Sequence, residues 1–317
     1  MVYPAGHNIV LYHMEDKNQK TYPCIEGSEG ITAMALSEGR KHLAVAEKSD
    51  KVPILTIYRV DDDRSNNEER KTDAKVLKRR RIMCSTEVKH HKAWISMAFC
   101  RHNDKFLATL SSEPEQTVYI WQVDKQRYVC SQSMSHATGH AIGTQVAFSS
   151  VDPSILLVTG NQTYKYFVKK DENLTLQTRT INKKEYSHIS QNYTAHCWLD
   201  YGKILVGTDQ GQILLCEPNG EVKRPLNDYP GEGFCIEQMI KYKNAFICVG
   251  DKGQMMVYSQ TGEPNNPYQM IAALPNPFDE KMSEEQKKIV AAVVGSTIKS
   301  IDLSPSGDTL VFTTDNN

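Results

Sequence analysis

The chain has 317 residues and a formal net charge of -1, and 39% of its residues are apolar while 24% are charged. This composition is typical of a globular protein, and a nearly neutral chain offers no broad attraction to nucleic acid or to an acidic membrane surface. No apolar run approaches the roughly 18 residues that a membrane-spanning helix requires, and the N-terminus lacks the basic start and apolar core of a signal peptide. We therefore expect a cytosolic environment, without nucleic acid or membrane partners.

Cysteine and histidine residues carry no metal-site pattern. The eight cysteines include no Cys-x-x-Cys pair and mostly lie in apolar segments, where a free thiol behaves as a small apolar side chain. Without a secretory signal we expect them to be reduced. The pairs His90–His91 and His136/His140 have no third ligand or carboxylate in register, so we predict surface or turn histidines and no metal.

One apolar pattern returns six times between Ile31 and Thr314. Each copy begins with a strand of alternating small and large residues, continues through a polar turn into a second apolar strand, and usually adds a third that ends in an aromatic residue. Successive copies are about 40 to about 65 residues apart, which is the spacing of propeller blades with loop insertions. First strands are predicted at 31–37, 94–99, 144–149, 193–198, 236–240 and 298–304.

The remaining strands follow the same order along the chain. Second strands are predicted at 42–46, 106–110, 155–159, 204–207, 245–249 and 309–312, third strands at 54–58, 118–121, 164–167, 213–216 and 255–258, and outer strands at 20–24 and 127–130. Two turns between second and third strands read Asp209-Gln210-Gly211 and Asp251-Lys252-Gly253. Each pairs a glycine that can take positive φ with an aspartate expected to bond its own downstream backbone.

Both ends of the chain interrupt the pattern. Asn8–Tyr12 reads as a third strand with no strand before it, and the chain stops just after a second strand. We therefore predict an all-β propeller of five complete blades flanked by two half-blades, which forms a single incomplete domain over 1–317. Because a propeller buries its blades by closing a ring, we expect about seven blades in the full protein, a chain that continues past Asn317, and one that could begin before Met1.

Two inserts break the repeat. The polar stretch at 61–81 is predicted to be a mobile loop because it lacks apolar periodicity. The second insert, at 262–297, opens with Pro- and Asn-rich sequence. In it Ser283–Gln286 has the form of a capping box, which predicts a short helix at about 284–293. Alternatively, Ile289–Val290 and Val293–Val294 begin an outer strand.

The densest charge run is Lys78-Arg79-Arg80-Arg81. One interpretation is a partner-binding segment that contacts an acidic protein surface, and the other is a solvated loop end that leads into an outer strand.

Catalytic motifs are absent from the sequence, and the first strands offer Glu237 and Asp302 as isolated acids. We therefore predict no catalytic residues, no cofactor and no enzyme activity.

Several of these segments resemble WD-repeat propellers. Ser304-Pro305-Ser306-Gly307 is similar to the turn after the first strand of that family, Val118–Trp121 to its third strand, and Gly139-His140 to the pair before a first strand. The departure is large, because no Trp-Asp pair closes a blade and Gln122 follows Trp121. The chain thus resembles a divergent member in which the Asp-His-Ser/Thr-Trp network of regular blades is not assumed.

A closer resemblance, to a family of ciliary WD-repeat proteins, covers about 3–225 and weakens through 262–297. Its most specific segments are Gln191–Trp198 and Val206–Gly211. Members of that family carry two N-terminal propellers and then long coiled coils, lie along axonemal doublet microtubules, and help to anchor inner-arm dyneins and regulatory complexes. The basic run falls where the family also carries a basic segment.

The resemblance implies a non-enzymatic axonemal scaffold of motile cilia, whose partners would be inner-arm dynein, regulatory complex subunits and tubulin. On this interpretation Lys78, Arg79, Arg80 and Arg81 are the candidate partner-binding residues, and the coiled coil lies outside the sequence at hand. Two alternatives remain open: a microtubule-associated or cytosolic WD-repeat adaptor of another complex, and a propeller hydrolase.

Overall fold

The computed structural model describes residues 1–62, 75–83, 91–134, 141–177, 179, 181, 186–226, 234–274 and 283–316. The regular secondary structure of these residues is nearly all antiparallel strand. The first sheet holds β1 (Val2–Ala5), β2 (Asn8–His13) and β3 (Asn18–Pro23), and the last holds β24 (Ile298–Leu303) and β25 (Leu310–Thr314).

Between them, the described residues form five four-stranded sheets, as the repeat predicts. Their strands are β4 (Gly30–Leu36), β5 (His42–Lys48), β6 (Ile54–Asp62) and β7 (Lys75–Met83); β8 (Trp94–Phe99), β9 (Phe106–Ser111), β10 (Thr117–Gln122) and β11 (Arg127–Ser133); β12 (Ile142–Phe148), β13 (Ile155–Asn161), β14 (Thr163–Lys170) and β15 (Asn173–Gln177); β16 (Ala195–Trp198), β17 (Ile204–Gly207), β18 (Ile213–Cys216) and β19 (Val222–Pro225); and β20 (Ile236–Tyr242), β21 (Ala245–Gly250), β22 (Met255–Gln260) and β23 (Tyr268–Leu274). One helix, α1 (Glu284–Val293), precedes β24.

The second and third strands of each complete sheet are apolar runs because both of their faces are covered. In β5, for example, Leu43 through Ala46 are each at most 1% exposed. One apolar cluster joins β5 and β6 to β8, β9 and β10, and another joins β16–β18 to β20–β23. Face-to-face packing of consecutive sheets thus supplies the core.

The chain divides into two compact units. One comprises Met1–Ala137, Gly143–Val158 and Lys165–Gln177, and the other Thr138–Ile142, Thr159–Tyr164 and Thr178–Asn317. The residues of the sheet β12–β15 are shared between the two units, and every other sheet belongs to one unit.

First strands carry a repeated irregularity. The pairing of first and second strands slips by one residue at Thr32, Ile95, Glu237 and Lys299, which places a β-bulge at the same point of four sheets. Glu237 and Lys299 are thus equivalent bulge residues of neighbouring sheets, and their side chains pair at 2.8 Å. Hydrogen bonding to this carboxylate raises the pKa of Lys299. Glu237, an isolated acid in the sequence, therefore forms an ion pair with Lys299 in the structure.

The N-terminal half-blade is larger than predicted. β1 precedes β2 and pairs with it from Val2↔Leu11 to Ala5↔Asn8, so β2 is the central strand of a three-stranded sheet. The expectation of no strand before Asn8 is wrong. A four-residue strand that contains Pro4 gives little alternation to detect.

Both inserts are shorter than the sequence indicates. β6 runs to Asp62 and β7 begins at Lys75, so the predicted loop at 61–81 contains strand at both ends, and 63–74 lies outside the described residues. The insert at 262–297 contains the outer strand β23 as well as α1. The helix forms at its predicted position, and the alternative outer strand at Ile289 does not.

The two aspartate turns differ from expectation in one respect. Gly211 and Gly253 take positive φ as predicted, but the aspartate side chains accept hydrogen bonds from outside their own turns. Asp209 accepts from the Asn192 side chain at 2.8 Å, and Asp251 accepts from the Cys235 N–H at 2.8 Å. Each carboxylate therefore ties its turn to the segment that leads into the first strand of the same sheet.

Candidate docking surfaces

The predicted basic run lies on an outer strand. Lys78 is in β7, where it is exposed, and its Nζ lies 3.3 Å from Asp61 Oδ2. The same carboxylate pairs with Arg59, and these contacts, that of Arg59 foremost, lower the pKa of Asp61. The interpretation of 78–81 as a loop end is wrong, because the run itself is strand.

The register of β7 places the three arginines beside the third strand. Arg79 lies opposite Tyr58 and Arg81 opposite Ile57, while Arg80 occupies the bulge between them. β7 is the last strand of its sheet, so these residues line an edge. Charged residues on an edge strand discourage pairing with another chain, and the same charges offer a contact for an acidic partner.

Outer strands of the described sheets differ in their charge. β3, β7, β11 and β19 each carry at least one lysine or arginine, whereas β15 and β23 carry none. On β23 the large apolar side chains of Met270, Ile271 and Leu274 are exposed. This edge therefore lacks the protection that β7 has.

A groove lies in the first compact unit, between the turns that follow β4, β8 and β10. It encloses about 580 Å³, and its floor includes the buried Ile57 and Val123. The turns are joined where the Gly39 N–H donates to Asp104 Oδ2 at 3.2 Å. Across the groove Lys105 lies 3.8 Å from Asp124. Its further charged lining residues are Glu38, Lys41 and Arg101, so charges of both signs line the groove.

One sheet retains part of the hydrogen-bond network typical of regular WD repeats. Trp121 donates from Nε1 to Thr109 Oγ1 at 2.9 Å, with both side chains buried. His91 contacts the Tyr119 hydroxyl through Nε2 at 2.9 Å. His91 is only 6% exposed, so its prediction as a surface or turn histidine is wrong. His90, His136 and His140, like Cys84, lie outside the described residues.

Buried groups of the second unit are held in neutral forms. His196 is 1% exposed and lies 2.8 Å from Thr159 Oγ1 through Nδ1, and burial lowers its pKa to about 3. Burial likewise raises the pKa of Cys216 to about 12. A neutral imidazole without an accessible face cannot exchange protons near pH 7, and a protonated thiol is a poor nucleophile. Both groups therefore serve packing.

Within the described ranges, no group of three or more His, Cys, Asp or Glu side chains could hold a metal ion, and all seven described cysteines are free thiols. No described helix is both long and apolar enough to cross a membrane. The candidate surfaces for partner binding described above are therefore the basic edge of β7 and the mixed-charge groove. Sequence reasoning found the first but missed the groove, because its walls are brought together only by the packing of sheets.

The chain is similar to cilia- and flagella-associated protein 57 from two organisms. It is 28% identical to the Mus musculus protein over 217 residues, which are 68% of this chain and 16% of the relative. It is 26% identical to protein 57 A of Tetrahymena thermophila over 99% of this chain and 26% of the relative. The chain thus spans only a fraction of the length of these relatives. No family model matches it.

Solved structures with a similar fold are WD40 propellers. The structure of U3-55K matches with a TM-score of 0.65 at 16% identity, over 99% of this chain and 84% of that one. The RRP9 WD40 repeats match with a TM-score of 0.64 at 17% identity, over 99% and 83%. At such identities the likeness establishes the fold alone. The predicted WD-repeat β-propeller and the resemblance to the ciliary family are both confirmed.

Proposed function

We propose that this protein is a non-enzymatic scaffold of motile cilia and flagella that docks inner-arm dynein and regulatory complexes on axonemal doublet microtubules. The observation that carries the proposal is its similarity over 99% of its length to a cilia- and flagella-associated protein 57. A WD40 propeller supports such a role because stacked sheets hold many turns and edges in fixed positions for partners.

The docking contacts are assigned to the basic edge of β7 and to the groove. Lys78, Arg79, Arg80 and Arg81 are four consecutive basic residues of the edge strand β7, and their charge is complementary to acidic protein surfaces such as that of tubulin. The groove between the turns accepts a polar segment of mixed charge. Neither surface offers the nucleophile, base and oxyanion donors that a hydrolase requires, and this favours the scaffold over a propeller hydrolase.

Cross-linking mass spectrometry on isolated axonemes tests the proposal. A chromosomally tagged copy of the full-length protein should yield cross-links to tubulin, dynein or regulatory-complex subunits, and those from this region should include lysines near β7. Absence of the protein from axonemes, or cross-links only to a cytosolic complex, would contradict the ciliary assignment. Either result would favour a cytosolic adaptor of another complex. Hydrolysis of ester or glycoside substrates that is lost on mutation of acids lining the turns would favour the enzyme.

A further inference from the structure

An exposed aromatic residue stands at the turn between β16 and β17. Tyr201 has φ 59° and ψ 20°, and Gly202 follows with φ 75°. Two consecutive residues with positive φ form the tight turn that normally selects Asn-Gly, Asp-Gly or Gly-Gly. The turn closes where the Lys203 N–H donates to the Asp200 carbonyl. The turn therefore does not require a tyrosine at position 201, since Lys252 adopts nearly the same dihedral angles.

The Tyr201 ring contributes nothing to the core. It is 86% exposed, which is the highest value among the exposed large apolar side chains of the described residues, and the other members of that set are aliphatic. Most tyrosines in the described part of the chain are at least half covered, and Tyr258 is completely buried. An aromatic ring displayed in water is a characteristic anchor of protein interfaces, where tyrosine is enriched.

Lysines occur in this turn and in the next one of the same kind. Lys241, at the start of the next such turn, pairs with Asp200. Tyr242 follows it, and the Lys243 ammonium lies 5.2 Å from the Tyr242 ring centre. Lys203 completes the set. These three lysines are accompanied by Asp200, which is already paired with Lys241, and by Asp308 in a neighbouring turn.

We infer that Tyr201, Tyr242, Lys203, Lys241 and Lys243, here named the Tyr201 surface, bind an acidic segment of a partner protein. Tyr201 supplies apolar area, and the lysines supply charge complementarity, which governs orientation and the rate of encounter. A nucleic acid is a poorer fit because its backbone requires a continuous positive track. Here that track is interrupted by Asp200, and Asp308 lies in a neighbouring turn whose Gly307, given a methyl group, would sit 3.8 Å from the Tyr242 ring.

The test measures fluorescence anisotropy of a labelled peptide of eight glutamates flanked by glycines, titrated with the full 317-residue chain. A peptide with glutamine in place of glutamate and a short single-stranded uridine RNA are the comparison probes. We expect only the acidic peptide to bind and its affinity to fall as salt rises. Tyr201→Asn should weaken binding about tenfold or more, as expected for an interface hot spot.

The matched control is Lys252→Asn. Lys252 has φ 59° and ψ 19°, nearly the same backbone conformation as Tyr201. It lies between β21 and β22, whereas Lys243 of the Tyr201 surface lies between β20 and β21. The Lys252→Asn variant should leave peptide affinity unchanged. Thermal melting should show both variants folded, since asparagine suits this conformation.

Three outcomes would overturn the inference: no binding of the acidic peptide, equal binding of the glutamine peptide or tighter binding of the RNA, and unchanged affinity of a folded Tyr201→Asn variant. Because the assay uses purified components, its failure leaves the proposed ciliary role standing, and a failed axonemal cross-linking experiment leaves this surface standing.

Discussion

The side-chain oxygen of Gln238 accepts a 2.7 Å hydrogen bond from the backbone N–H of Ile301. Gln238 follows the bulge in β20, and Ile301 lies in the first strand of the next sheet. Ser96 follows the equivalent bulge in β8 and accepts in the same way from the Val146 N–H at 3.0 Å. The bulge therefore turns a side chain toward the neighbouring first strand, where it satisfies a backbone group that the sheet itself leaves open.

Replacing Gln238 with Met should destabilise the protein. The variant keeps the volume of the side chain but removes the acceptor, and Ile301 is only 2% exposed, so its N–H would be left without a partner. We expect the free energy of unfolding to fall by about 1–3 kcal/mol, measured by urea denaturation. Gln269→Met on the exposed outer strand is the control and should change it by less than about 0.5 kcal/mol. Equal midpoints for the two variants would contradict the assigned role.

Acidification should destabilise the protein through His196. Its pKa is lowered to about 3 in the native state by burial, whereas the unfolded value is about 6.5. Below pH 6.5 the unfolded chain therefore binds a proton that the native state refuses. Stability is complete above pH 6.5 and falls by about 1.4 kcal/mol per pH unit as the pH drops toward 3.

The measurement is urea unfolding at a series of pH values for the wild type and for His196→Leu. The leucine variant should lose this part of the slope. An unchanged slope in His196→Leu would show that other groups govern the acid sensitivity.

Gly250 should tolerate no larger residue. Its φ of -174° is extended backbone open to any residue, but a Cβ there would lie 1.8 Å from the Cys235 carbonyl oxygen. Gly250→Ala should therefore force the backbone apart and cost about 1–3 kcal/mol or more. Gly262→Ala is the comparison, since its Cβ meets open space and only a positive φ of 82° opposes it. Thermal denaturation should place Gly250→Ala clearly below Gly262→Ala, and the reverse order would refute the steric explanation.

Neutralising the basic edge should weaken retention on axonemes. A full-length variant with glutamine at Lys78, Arg79, Arg80 and Arg81 should be extracted from isolated axonemes at lower salt than the wild type, because screened contacts between charged surfaces dissociate as ionic strength rises. A Lys20→Gln, Arg127→Gln variant, with charges removed from two other outer strands, should extract as the wild type does. Identical extraction of all three proteins would assign the run to edge protection alone.

Sequence alone predicts the first, second and third strands well, because burial on both faces forces apolar runs at positions such as Leu43–Ala46. It fails where a strand is exposed or polar. β7 carries a charge run that resembles a loop, and β1 is too short to show alternation. The partners of Asp209 and Asp251, and the burial of His91, depend on segments brought together by packing, so no local pattern announces them. The groove and the Tyr201 surface are each formed by several turns that are distant in the sequence, so a local sequence pattern does not predict them.

The bare edge of β23 carries a consequence for how the molecule behaves in concentrated solution. An outer strand without lysine, arginine or acid, with Met270, Ile271 and Leu274 exposed, is the place where two copies can join backbone to backbone and begin a growing aggregate. Self-association of the protein is therefore expected to begin at this seven-residue strand.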